Sequence, residues 1–110
     1  MEIQLKTGEN IILEVTPLFL EYVEDYKGGI KQLKIDAQGQ VDKNGYTKTM
    51  YATNHLIYAI VASNYDKQLT YRQAVRLVKW EDIKKIVNFV IENIPSELEN
   101  NVYDINQHRM

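Results

Sequence analysis

Residues 50–62 read MYATNHLIYAIVA and contain the longest apolar stretch of the chain. In a helix, its apolar side chains cover most of the circumference instead of forming a single stripe. A helix that is apolar on nearly every side is typical of the centre of a hydrophobic core. We therefore predict a central core helix that begins at Lys48 and ends near Ser63 and Asn64, with the other elements packed around it.

Two further helices are predicted after the central one. Thr70 and Gln73 have the spacing of a capping box, and the short helix that they open extends to residue 78. The next helix runs from about Glu81 to Asn93 and is followed by Pro95, as expected after a helix ends. Its apolar stripe has helical spacing and consists of Ile83, Ile86, Val87, Val90, Ile91 and Ile94.

The segment before the central helix predicts one more helix and a loop. Thr16-Pro17 is a helix start, since Thr caps and Pro is tolerated at the first helical position. The helix continues to Tyr26 and ends at Gly28-Gly29. Residues 30–35 fit either a short strand or a further turn of helix. Residues 36–47 are polar, contain two Gly and follow no period, which predicts a flexible loop.

The first fifteen residues predict a β-hairpin with one apolar face. Ile3 and Leu5 alternate with polar neighbours, residues 7–10 supply turn chemistry, and a second alternation follows over residues 11–15. Because a lone hairpin is only marginally stable in water, its apolar face must pack on other elements.

Together these patterns predict an α+β, mainly α-helical fold with a small N-terminal β-hairpin packed on three to four helices. Residues 1–95 form one domain, which divides into the hairpin over 1–15 and a helical part over 16–95. Residues 96–110 form a polar C-terminal tail.

Composition narrows the classes of function. The chain has 110 residues, a net charge of -2 and no Cys, which excludes disulfides, thiolate metal sites and a Cys nucleophile. The longest apolar stretch, around residues 56–62, is far shorter than a membrane span, and no signal segment opens the chain. We therefore expect a soluble intracellular protein with no membrane partner.

Charge is unevenly distributed along the chain. Residues 1–25 hold six acidic and one basic residue, residues 67–85 hold six basic and two acidic, and residues 92–110 hold four acidic and one basic. These segments are either differently charged solvated faces of one domain or complementary surfaces for head-to-tail self-association.

No catalytic, cofactor-binding or metal site is predicted. His55 and His108 lack the spacing of metal ligands, and His55 is interpreted as a boundary residue at the start of the apolar helix. Glu21 and Asp25 lie one helical turn apart and could share a cation, although a solvated face is the better interpretation. With no phosphate loop and no nucleophile–base pair, we expect no enzyme and no cofactor.

The helices over 70–78 and 81–94 also permit a helix-turn-helix interpretation. Six basic residues would favour phosphate contacts: Lys67, Arg72, Arg76, Lys79, Lys84 and Lys85. However, the second helix begins with Glu81 and Asp82, and this end would face the phosphates. We therefore predict no nucleic-acid partner and retain DNA binding only as an alternative.

The chain is rich in tyrosine, with eight Tyr in addition to two Phe and one Trp. Tyr and Trp are enriched at protein interfaces, although the same side chains also fill cores. The predicted partner-binding set adds two positions of the last apolar stripe to the aromatic residues around the central helix. It consists of Tyr51, Tyr58, Tyr65, Tyr71, Trp80, Ile83 and Val87.

Three segments carry a resemblance to a known family. They are Tyr51-Ala52-Thr53-Asn54-His55-Leu56-Ile57-Tyr58-Ala59, then Leu69-Thr70-Tyr71-Arg72-Gln73-Ala74-Val75, then Trp80-Glu81-Asp82-Ile83-Lys84-Lys85-Ile86. In this order, after an N-terminal hairpin, the chain over residues 1–95 resembles the small tail assembly chaperones of long-tailed bacteriophages of Gram-positive hosts. The resemblance rests on apolar spacing and helix starts, and it assigns no functional residue.

The resemblance implies a non-enzymatic role. Proteins of this family coat the long helical tape measure protein before the tail tube polymerises around it, they self-associate, and a frameshift often yields a longer product. The expected partners are therefore the tape measure protein and further copies of this chain. A small adaptor or regulatory module that binds a different protein is the alternative.

Overall fold

A computed structural model describes residues 1–39 and 45–95. A two-stranded antiparallel hairpin and five α-helices make up these ranges, and a 3-10 turn over Trp80–Asp82 precedes the last helix. In chain order the elements are β1 (Glu2–Gln4), β2 (Asn10–Ile12), α1 (Pro17–Val23), α2 (Gly29–Ala37), α3 (Gly45–Asn64), α4 (Tyr71–Leu77) and α5 (Ile83–Asn93). The predicted α+β, mainly helical fold class is confirmed.

Helix α3 is the centre of the fold, as its sequence predicts. It packs against α1, α2, α4 and α5. Its buried side chains include Leu56, Ile57 and Ile60, none of which retains exposed surface. The helix begins at Gly45, three residues before the predicted start. His55 lies in the interior of α3 and not at its start, and its half-buried side chain agrees with the interpretation as a boundary residue.

Two helix starts follow the predicted capping chemistry. The Thr16 side chain accepts a hydrogen bond from the Phe19 backbone N–H at 3.2 Å, with Pro17 at the first helical position. Thr70 accepts from the Gln73 backbone N–H at 3.2 Å, while the Gln73 side chain accepts from the Thr70 N–H at 2.9 Å. The capping box therefore fixes the start of α4.

The region between α1 and α3 differs from the prediction. Helix α1 ends at Val23, and Gly28 and Gly29 open α2 instead of closing α1, both with positive φ values of 94° and 77°. Residues 30–35 are helical, so the helices number five in the described ranges instead of three or four. The predicted loop over 36–47 is shorter at both ends, because α2 includes Ala37 and α3 begins at Gly45. Residues 40–44 lie outside the described part.

Hydrogen bonds to backbone groups of the hairpin join it to the helices. Ile3 pairs with Ile11 at its centre, and the Lys6 N–H donates to the Leu77 carbonyl at the end of α4 at 2.8 Å. At the other end, the Asn64 side chain accepts from the Glu14 N–H at 3.2 Å and donates to the Glu14 carbonyl at 2.9 Å. These contacts hold its apolar face against the core.

Helix α5 packs its apolar stripe on α3. Ile86, Val87, Val90 and Ile94 of this stripe are buried. The predicted tail over 96–110 lies outside the described residues. Within the described part of the chain, no helix combines the length and the hydropathy that crossing a membrane requires.

Candidate functional site

A cluster of six aromatic rings lies on one side of α3. Tyr51, His55 and Tyr58 follow one another at intervals of four and three residues, so they share a face of the helix. Three tyrosines from neighbouring parts of the chain contact them: Tyr22 of α1, Tyr26 of the turn after α1, and Tyr71 of α4. We call these six residues the Tyr51 cluster.

The rings pack in the geometries that aromatic pairs prefer. Tyr51 stacks on Tyr26 with 5.8 Å between ring centroids and 25° between planes. Tyr22 meets Tyr58 edge to face at 5.4 Å, and Tyr58 contacts Tyr71 at 5.8 Å. The cluster therefore links α1, α3 and α4 through contacts between rings.

Tyr26 is the anchored member of the cluster. Its hydroxyl donates to Asp36 Oδ2 at 2.5 Å, and Asp36 Oδ1 accepts from Gln32 Nε2 at 2.8 Å, so the ring is tied to α2. Burial, together with the bond to Asp36 and the charge of that carboxylate, raises the pKa of Tyr26. Only 7% of Tyr26 is exposed, whereas 56% of Tyr51, which lies on it, is exposed.

His55 is half-buried between the tyrosine rings, 5.5 Å from the Tyr26 centroid. Its Nε2 lies 3.3 Å from the Tyr22 carbonyl oxygen. Since a carbonyl only accepts, the bond requires a hydrogen on Nε2. Burial lowers the pKa of His55, and the bond to Tyr22 and the charge of Asp25 oppose this shift only in part. His55 is therefore neutral at pH 7.

Carboxylates border the cluster. Burial is the main cause that raises the pKa of Tyr22, with added contributions from Tyr58, Asp66 and Glu21. The charge of Asp25 also acts on His55, where it favours the protonated ring and so raises the pKa. Glu21, Asp25 and Asp66 are all exposed. The partly exposed rings of Tyr22 and His55 thus lie beside negative charge.

The structure brings three of the predicted partner-binding residues together, namely Tyr51, Tyr58 and Tyr71. Tyr65 lies apart, because its hydroxyl donates to Glu9 Oε1 beside the hairpin turn at 2.7 Å, and this bond raises the pKa of Tyr65. Trp80 lies outside the cluster on the 3-10 turn, with 85% of its surface exposed. It is the most exposed large apolar side chain among the described residues.

The two aliphatic members of the predicted set are placed differently. Val87 is only 7% exposed and belongs to the core, so the structure corrects its assignment to a partner surface. Ile83 is partly buried against the same core. Both line a cleft of about 340 Å³ between α5, the end of α2 and Thr53 of α3. The apolar stripe that supplied these two positions is the packing face of α5.

Three members of the cluster were not predicted as site residues: Tyr22, Tyr26 and His55. The sequence could have indicated His55, because its spacing from Tyr51 and Tyr58 places the three residues on one helical face. No sequence pattern indicated Tyr26, because it lies beyond the end of α1 and its position depends on the hydrogen bond to Asp36.

Among residues 1–39 and 45–95, no three His, Asp or Glu side chains are arranged to hold a metal ion. Comparisons with protein-family models, with curated protein sequences and with solved structures find no match for this chain.

Proposed function

We propose that this protein is a non-enzymatic tail assembly chaperone, which binds the helical tape measure protein of a long-tailed phage in the cytoplasm of the bacterial host. The observation that supports this proposal is the Tyr51 cluster. In this cluster the exposed ring of Tyr51 stacks on the anchored ring of Tyr26. Aromatic side chains held in this way bury much area on binding at little cost in conformational entropy.

The order of the elements also supports the proposal. An N-terminal hairpin precedes the helices that carry segments 51–59, 69–75 and 80–86, on which the resemblance to tail assembly chaperones rests. Trp80 begins the last of these segments and is nearly fully exposed, which suits a second contact with a partner.

Self-association is part of the proposed function. Residues 1–25 are strongly acidic and residues 67–85 are basic, so subunits can meet head to tail. Because exposed charges are screened by salt, the oligomer should become smaller between about 0.05 M and 1 M NaCl. Light scattering across this range measures the effect, and an oligomer size that salt leaves unchanged contradicts the charge-based contact.

Co-expression tests the function. The proposal expects the tape measure gene to lie directly downstream. The chain is produced with the protein that this gene encodes, and the soluble fraction is analysed by size-exclusion chromatography with light scattering. The proposal predicts a soluble complex with several copies of this chain. If the partner precipitates and this chain elutes as an inert monomer, the chaperone function is contradicted and an adaptor for another protein becomes the better hypothesis.

Matched variants identify the surface that binds. Y51A and W80A each remove an exposed aromatic side chain, and we expect each to reduce the recovered partner. I12A removes an apolar side chain that is 61% exposed on the hairpin and belongs to none of the three segments, and it should leave recovery unchanged. Equal losses in all three variants would mean that the effect is not specific to the aromatic residues.

A further inference from the structure

We infer that the helix segment bound by the Tyr51 cluster carries Lys or Arg side chains next to its apolar residues. This inference rests on the proposed function, because it takes the partner to be a helix. It adds the chemistry of the partner at the point of contact, which the proposed function leaves open.

The first argument is the sign of the charge around the rings. Three exposed carboxylates act on the titrating groups of the cluster: Glu21 and Asp66 on Tyr22, and Asp25 on His55. Asp36, by contrast, is already bonded to Tyr26 and Gln32. Glu21 and Asp25 are exposed and directly precede Tyr22 and Tyr26 in the chain, so a segment that covers these rings meets their charge. An acidic segment would be repelled there, and a basic one attracted.

The second argument is the chemistry of the rings themselves. The face of a tyrosine ring attracts a cation, and a guanidinium group also stacks on it. Tyr51 is more than half exposed, and its ring is held by stacking on Tyr26. His55 does not oppose a cation, because its lowered pKa leaves the ring uncharged at pH 7.

The third argument is the length of the surface. Tyr51 and Tyr58 are separated by seven residues of α3, which corresponds to about 10 Å along the helix axis. Two turns of a second helix cover the same distance, so apolar residues at i and i+7 can contact both ends of the cluster. Basic residues on the flanks of that stripe would then lie beside Glu21 and Asp25.

Two synthetic peptides provide the test. Both are fluorescently labelled amphipathic helices of equal length with the same Leu stripe, and they carry either Lys or Glu at the polar positions. Each is titrated with the full chain at low salt and pH 7, and binding is followed by fluorescence anisotropy. We expect the Lys peptide to bind at least about tenfold more tightly than the Glu peptide. Equal affinities would overturn the inference.

Single variants show whether binding depends on the carboxylates next to the cluster or on the net charge of the whole protein. E21Q and D25N should each weaken binding of the Lys peptide by about two- to fivefold, as expected for exposed charge pairs. The matched control is E92Q, which removes one exposed carboxylate from α5 that does not act on the cluster. The inference is overturned if E92Q weakens binding as much as D25N does, or if Y51A has no effect.

The two proposals fail in different ways. If the Lys peptide binds through Tyr51 but co-expression leaves the downstream protein insoluble, the basic-helix surface stands and the tape measure assignment fails. If co-expression yields a soluble complex but the Lys and Glu peptides bind equally, the chaperone function stands and the inference about charge fails.

Discussion

The two sides of α3 show how one helix serves both the fold and the candidate site. On one side Leu56, Ile57 and Ile60 are completely buried among the surrounding helices. On the other side Tyr51, His55 and Tyr58 contact further rings and remain partly exposed. Substitutions on the buried side should therefore reduce the free energy of unfolding, whereas substitutions at exposed positions of the aromatic side should reduce binding.

The largest effect is expected on the buried side. I60A removes a fully buried side chain and leaves a cavity, so the free energy of unfolding should fall by about 2–5 kcal/mol. Chemical denaturation measures the change. I12A is the matched control, because Ile12 is 61% exposed and its truncation should cost less than about 0.5 kcal/mol. Similar losses for the two variants would contradict the central position of α3.

A smaller effect is expected where the aromatic side is anchored. Y26F removes the hydroxyl that donates to Asp36, and the loss of a hydrogen bond to a carboxylate should cost about 1.5 kcal/mol. Y65F is the control, because the Tyr65 hydroxyl also donates to a carboxylate but lies in an exposed position. It should cost less than Y26F by chemical denaturation. If the order is reversed, Tyr26 is not the anchor of the cluster.

The pH dependence of the free energy of unfolding tests whether His55 is buried in its neutral form. Burial lowers the pKa of His55 below its ordinary 6.5, so between these two pKa values the unfolded chain binds a proton that the folded chain does not. This contribution to stability is present above pH 6.5 and is lost as the pH falls through 6.5 toward the folded pKa. We expect the free energy of unfolding to decrease from pH 7.5 to pH 5, and H55Q to show a smaller decrease.

Denaturation of both proteins at the two pH values checks this difference. His108 is present in wild type and variant alike, so its titration does not separate them. An identical decrease in the two proteins would mean that His55 titrates in the folded chain as it does in the unfolded chain.

The parts of the fold that local patterns determine were predictable. The apolar circumference of residues 50–62 indicated a central helix, and the spacing of Thr70 and Gln73 indicated a capping box. Helix α2 was ambiguous, because its short apolar run fits a strand as well as a helix. A Gly pair is also compatible with either the end of one helix or the start of the next, and here Gly28 and Gly29 lie at the start of α2.

The candidate site was predictable only in part. The tyrosines on and after α3 were visible as an aromatic surplus, but Tyr26 reaches the cluster through a hydrogen bond to another helix. A stripe such as the one containing Val87 has the same pattern whether it faces the core or a partner, and only the packing of α5 on α3 distinguishes the two. Residue spacing identifies a helix face, whereas tertiary contacts determine what covers it.

The central claim is that Tyr51, the exposed ring on the aromatic side of α3, contributes much more to binding the proposed partner than to the stability of the fold. Y51A tests it most directly, with thermal unfolding and recovery of the co-expressed downstream protein measured on the same variant. Because Tyr51 is 56% exposed, we predict a melting temperature lowered by less than about 5 °C and a several-fold loss of soluble partner. A variant that keeps as much partner soluble as the wild type would contradict the claim.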